Sequence, residues 1–212
     1  TEGITIEAMV EVSWSGAASD ADMIFRKEDG ASRLLLGFQN DGNADGRSYP
    51  PLAPGYTGPV LAFGVNVGGS YTELELRLDG QSGRPTVASL SSGSPHHIAG
   101  TYDAATGAKS IYLDGTRVAY VAISPAGDVS SGGSTSAYIG NMSGRGQPYT
   151  GLIDENSIAT ANVVDKDGMN HPVFTKVHLY TLSTSQRIDT PVTVAAGNPK
   201  NGAKTASFGP KS

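Results

Sequence analysis

Apolar residues occupy every second position over long stretches of this chain, and that regularity restricts the fold more than any other feature. In "ITIEAMVEV" (4–12), Ile4, Ile6, Ala8, Val10 and Val12 share one face, and Thr5, Glu7, Met9 and Glu11 share the other. Leu61, Phe63, Val65 and Val67 alternate in the same way, as do Leu74, Leu76 and Leu78 against Glu73, Glu75 and Arg77. A side-chain period of two marks a strand with one face on a core and one in water, whereas an amphipathic helix repeats every ~3.6 residues. Between the runs stand turn-forming clusters such as "EDGAS", "NDGNADG", "VGGS", "DGQSGRP" and "SSGGSTS". Short strands punctuated this way predict an all-β antiparallel sandwich or jelly roll rather than a parallel sheet with crossover helices.

Composition agrees. The 28 glycines and only 17% charged residues imply many tight turns and few amphipathic helices. The 212 residues carry no internal repeat and no dividing linker, so the chain reads as one domain, 1–212. A net charge of -5 with no extended basic cluster leaves nothing to neutralise a row of phosphates, which argues against a nucleic-acid partner and an electrostatic membrane anchor. No run of about 18 apolar residues predicts a membrane span. Cysteine is absent, which removes disulfides, redox pairs and thiolate zinc sites together. The chain opens on Thr1 rather than Met, which raises the expectation of a processed or excised product.

The segment "HHIAGTYDAATGAKSIYLDG" (96–115) reads as a meander. Ile98 to Tyr102 forms one strand, "AATG" turns the chain, and Lys109 to Leu113 forms the next. Asp114-Gly115 then makes a two-residue hairpin turn, with Thr116 to Ala122 returning. Adjacent strand residues point to opposite faces, so His96 and His97 cannot readily share a metal or a proton; one is expected buried and hydrogen-bonded, the other nearer the surface. His171 and His178 are isolated and receive no role.

Retaining glycoside hydrolysis needs two carboxyl groups about 5–5.5 Å apart on one face. The nearest arrangement is Glu73 with Glu75, but these alternate with leucines and lead to Arg77, which predicts a solvated outer face. No nucleophile elbow, phosphate-binding Walker loop or His-Glu-x-x-His motif occurs. In "NDGNADG", the side chains of Asp41, Asn43 and Asp45 and the backbone carbonyl of Arg47 fall at the spacing of the first half of a calcium loop, with Gly46 permitting the sharp turn. Leu52 stands where the closing glutamate of an EF-hand would be, so the choice is between a shortened calcium loop and a plain hairpin tip. Tyr49, Tyr56, Tyr71 and Tyr149 lie in turn-rich segments. The loop "RSYPPLAPGYTG" (47–58), stiffened by Pro50, Pro51 and Pro54, makes Tyr49 and Tyr56 candidates for a sugar-binding rim, against the simpler reading of a connecting loop.

Four segments carry a resemblance to a known family: "ITIEAMVEV" (4–12), "HHIAGTYDAATGAKSIYLDGTRVA" (96–119), "AYIGNMSG" (137–144) and "YTGLIDENSIA" (149–159), with a weaker one over 24–38. In this order they resemble the laminin-G-like branch of the concanavalin A-like lectin/glucanase superfamily. The resemblance implies an antiparallel two-sheet jelly roll of about a dozen strands. It also implies a structural or calcium-adjacent role for Asp154-Glu155 and makes calcium the candidate cofactor. The chain departs from the pattern where Met9 replaces an aromatic, where Pro95 replaces a tryptophan, and where "NSIATANVVDKDGMNHPVF" (156–174) intervenes before "TKVHLYTLSTSQ" (175–186), which reads as the postponed last strand. The usual first strand is also missing. A segment like it, "GAKTASFG" (202–209), sits at the other end. Ala203, Thr205, Ala206 and Phe208 would then either close the chain's own sandwich or insert into another copy.

The resemblance implies a non-catalytic extracellular or cell-surface module that binds carbohydrate or matrix, or mediates adhesion. Two alternatives stand beside it: a subunit that assembles into a fibre or surface layer by strand exchange between copies, and a polysaccharide-degrading enzyme.

Overall fold

The computed structural model describes residues 3–18, 20–29, 32–40, 56–122, 125–130, 135–142, 144 and 146–159. Ten strands account for most of them: β1 (Gly3–Val12), β2 (Ala21–Asp29), β3 (Ser32–Gln39), β4 (Val60–Val67), β5 (Ser70–Arg77), β6 (His96–Asp103), β7 (Lys109–Leu113), β8 (Thr116–Val121), β9 (Ala137–Ile139) and β10 (Gly151–Ala159). A 3-10 turn (Gln81–Gly83) and the single-turn α1 (Val87–Leu90) lie between β5 and β6. The strands form two five-stranded antiparallel sheets. The first runs β10-β1-β6-β7-β8 and the second β5-β4-β3-β2-β9.

The alternation in the sequence sets the core. Ile4, Ile6, Ala8, Val10 and Val12 all turn inward from β1 and meet Leu36, Phe38, Leu61, Phe63, Val65, Leu74 and Leu76 from the second sheet. Phe38 and Phe63 are fully buried, and each such side chain contributes about 1.5–3 kcal/mol relative to leaving it exposed. Trp14, just past β1, packs on Phe38 with ring centroids 5.6 Å apart.

The two-sheet antiparallel sandwich matches the expectation, and three details differ from it. β1 is flanked on both sides, by β10 and β6, so a closing or exchanged strand would have to dock at an outer edge of a sheet. β10 continues to Ala159, opposite Thr5, so residues 156–159 of the expected insertion are strand. Residues 160–186 and the segment 202–209, with Ala203, Thr205, Ala206 and Phe208, lie outside the described residues, as do His171 and His178.

The third difference concerns alternation itself, which is broken by bulges. On β2 the register against β3 shifts between Met23 and Phe25, so Ile24 and Phe25 both enter the core. On β8 the register against β7 shifts after Ile111, so Ala119 opposes Ile111 while Arg117 opposes Tyr112. One extra residue on a strand re-aims everything beyond it.

Candidate functional site

The two outer faces of the sandwich differ in kind. On the second sheet, Ala21, Met23, Leu35, Val60 and Ala62 form a second buried cluster, with Tyr56 packed against it. Glu73 lies on this same face and is only 2% exposed. That corrects the expectation of a solvated glutamate row. The cause is Gly64, which faces Glu73 across the β4–β5 ladder. Having no side chain, Gly64 leaves room for the Tyr71 phenol, whose oxygen lies 2.0 Å from where a Cβ would stand. The Tyr71 hydroxyl donates to Glu73 Oε1 at 2.6 Å, and the Gln39 amide donates to Oε2 at 2.5 Å. Arg33 stacks 5.0 Å from the Tyr71 ring centroid and donates to Glu28 at 2.8 Å. Burial and the adjacent Glu73 carboxylate push the Tyr71 hydroxyl well above the usual phenol range. The Glu73 carboxylate is thus enclosed and held by a phenol and an amide.

The outer face of the first sheet is exposed at Arg117 and Tyr120 on β8 and half-buried or buried across β1, β6 and β7. Its residues follow from register: Thr5, Glu7, Met9 and Glu11 on β1, His97, Ala99 and Thr101 on β6, Ser110 and Tyr112 on β7, and Arg117 and Tyr120 on β8. Tyr120 is 47% exposed, and Arg117 lies over its ring at 4.3 Å from the centroid. Strict alternation would send these two residues, three apart, to opposite faces. The β8 bulge brings both outward while Val118 and Ala119 pack against the core. The row Tyr120–Ser110–Thr101–Thr5 crosses four strands on short hydroxyl side chains, and the row Arg117–Tyr112–Ala99–Glu7 runs beside it. Ala99 and Ser110 are buried. At the far corner, Glu11, Ser13, Tyr149, Thr150, Gly151 and Leu152 line a shallow groove in which Leu152 is 45% exposed.

The histidines belong to this scaffold and split as alternation requires. His96 Nδ1 lies 2.8 Å from Asp114 Oδ2, while Asp114 Oδ1 accepts the His97 backbone N–H at 2.9 Å. The His97 ring turns the other way, with Nε2 3.3 Å from Glu7 Oε2. The His96 side chain is 15% exposed and that of His97 38%. Asp114 and Gly115 take φ of 49° and 76°, the positive values a type I′ turn requires. Burial opposes the Asp114 charge, but the His96 ring and the His97 N–H outweigh it and hold the carboxyl below its ordinary range.

Of the remaining candidates, Asp41, Asn43, Asp45, Arg47 and Tyr49 lie outside the described residues. Tyr56 is half-buried; its hydroxyl donates to the Pro59 carbonyl at 2.6 Å, and Arg77 covers its ring. Tyr71 lies within β5 rather than in a turn, and Tyr149 is buried. Asp22, not singled out from the sequence, is wholly buried and accepts from the Thr150 N–H and hydroxyl through Oδ2. Its carboxyl is pushed up by burial, partly offset by Thr150. This bond ties the start of β10 to the second sheet. Among the described residues, no cluster of three or more His, Asp or Glu side chains is placed to hold a metal ion, and no helix is long and apolar enough to cross a membrane.

Known proteins give these observations a family. No curated protein matches the chain. Among solved structures, it is similar to the mouse laminin α1 chain domains LG4-5 (11% identity, TM-score 0.47, covering 74% of this chain and 34% of that one). It is also similar to a putative carbohydrate binding protein from Bacteroides ovatus (19%, TM-score 0.48, 74% and 37%). A third is the enzymatically active domain of tailspike protein 2 from bacteriophage CBA120 (17%, TM-score 0.47, 76% and 22%). The chain therefore spans well under half the length of each of these three. A family model described as the concanavalin A-like lectin/glucanases superfamily matches residues 1–163. With the two antiparallel sheets and the His-His meander in place, the chain belongs to the laminin-G-like group of that superfamily.

Proposed function

We propose that this chain is a non-catalytic carbohydrate-binding module that acts outside the cell or at its surface, its binding face being the outer face of the first sheet. The observation that carries this reading is the Tyr120–Arg117 pair at the edge of that face. The face of the phenol ring turned away from Arg117 offers an apolar plane for the C–H face of a sugar, and the neighbouring Thr101 and Thr5 hydroxyls and the Glu7–His97 pair supply hydrogen-bonding groups for its hydroxyls.

The superfamily contains both lectins and glucanases, and fold alone does not choose between them. The binding reading is favoured by Glu73. As the leading acid of the hydrolase alternative, it is enclosed, and its two oxygens are bonded by Tyr71 and Gln39. Calcium at Asp41, Asn43, Asp45 and the Arg47 carbonyl is part of the same proposal.

A glycan array probed with and without chelator tests the reading. Binding that Tyr120→Ala removes, in a protein with an unchanged melting point, is the expected result. A protein that binds no glycan under either condition would overturn the proposal, and sugar release from a polysaccharide panel would replace it with the hydrolase reading.

A further inference from the structure

We infer that the ligand of this face is an uncharged glycan and that sulfated or uronate-rich chains are turned away; the inference rests on the carbohydrate-binding reading above. It follows from where the cations of the described residues go. Arg26 and Arg33 pair with Glu28, and Arg77 and Arg84 with Asp79, all on the second sheet or the loop after it. Lys27 donates to the Thr135 carbonyl beside β9, and Lys109 is buried with its ammonium nitrogen on Thr72. Arg117 is therefore the one Lys or Arg among the described residues on the outer face of the first sheet, and its guanidinium already covers Tyr120.

The same face presents Glu7 and Glu11, with Asp154 opposite Met9 on β10. Glu7 lies in the Arg117 row three strands away, about 14 Å at the usual strand spacing. The Debye length at physiological ionic strength is about 8 Å. A polyanion seated on Arg117 and reaching across the sheet would leave the one Lys or Arg described on this face and approach Glu11, Asp154 and the His97-paired Glu7. A neutral chain meets no such cost. Its hydroxyls can donate to the Glu7 carboxylate and exchange bonds with Thr5 and Thr101, and one ring can rest on the face of Tyr120 turned away from Arg117.

The test is binding of the full chain to neutral gluco-, manno- and galacto-oligosaccharides and, in parallel, to heparin, at low and high salt. The expected result is a neutral oligosaccharide bound with an affinity that changes less than about twofold across the salt range, no retention on heparin, and at least about a tenfold loss in Tyr120→Ala. Arg117→Gln is expected to lose less than Tyr120→Ala. Heparin binding that falls steeply with salt and vanishes in Arg117→Gln would overturn the inference while leaving carbohydrate binding in place. Neutral binding untouched by Tyr120→Ala would overturn the assignment to this face. Absence of binding to every glycan of both classes would overturn the underlying reading.

Discussion

Arg117 and Tyr120, three residues apart on one strand, stack on the same face of the sheet, with the guanidinium carbon 4.3 Å from the ring centroid. They can do so because β8 carries one more residue than β7 across the bulge. An exposed cation–π contact of this type contributes about 0.5–1 kcal/mol, so its energetic weight is small. Its effect is on shape: stacking on the arginine restricts the phenol, which lowers the entropy lost when a ligand settles on it. Arg117→Ala is expected to cost no more than about 1 kcal/mol in chemical denaturation while weakening binding. A loss of several kcal/mol would mean that the pair serves the fold instead.

The enclosed glutamate makes a stability prediction. Gly64→Ala places a methyl group 2.0 Å from the Tyr71 oxygen, a clash expected to cost about 1–3 kcal/mol. Tyr71→Phe leaves Glu73 with the Gln39 bond but without the phenol, a loss of about 1–3 kcal/mol. If the glycine exists to admit the tyrosine, the double change Gly64→Ala with Tyr71→Ala will be less destabilising than the sum of its parts. Urea denaturation of the parent, Gly64→Ala, Tyr71→Ala and the double variant measures this coupling, and strict additivity would contradict it.

Lys109 predicts a pH dependence. Its nitrogen donates to the Thr72 carbonyl at 2.8 Å and to the Thr72 hydroxyl at 2.5 Å within the sandwich. Burial lowers its pKa to about 7, against a smaller raising effect from Glu73. In the unfolded chain a lysine titrates near 10.4, so between about pH 7 and pH 10 the unfolded state binds more protons than the folded one. Stability attributable to this group therefore rises with pH across that window and is flat below it. Lys109→Met is expected to remove the slope between pH 7 and 9 without lowering the melting point at pH 7. Identical slopes in both proteins would refute the assignment.

A further prediction concerns the His96–Asp114 staple. Asp114→Ala loses two hydrogen bonds and places alanine at a φ of 49°, together about 1–3 kcal/mol. Asp114→Asn tolerates that backbone and keeps one acceptor, so it is expected to cost clearly less. Because the folded-state pKa of Asp114 is depressed, the carboxylate's contribution persists at neutral pH and disappears as the solution is acidified through that lowered value. Thermal melts of the three proteins at pH 7 and pH 3 provide the check.

The sandwich and its interior were legible in the sequence because alternation is a local property that burial enforces. The inward rows of β1, β4 and β5 and the Asp114-Gly115 turn lie where the pattern places them. The opposite placement of His96 and His97 followed from the same rule. What the pattern could not show is what one extra residue does to it. The β8 bulge is invisible in "TRVAYV", so nothing singled out Tyr120 or paired it with Arg117. Glu73 was misread for a related reason: period two assigns a residue to a face but says nothing about whether a glycine on the next strand lets a side chain lie over it. Asp22 gave no signal because its partner, Thr150, is 128 residues away.

The most direct test of the proposed binding face is a map of amide chemical shifts in labelled protein titrated with the tightest-binding oligosaccharide. The account requires the largest changes at Thr5, Thr101, Ser110, Arg117 and Tyr120. Changes confined to β2 through β5, with that row of amides unmoved, would contradict it.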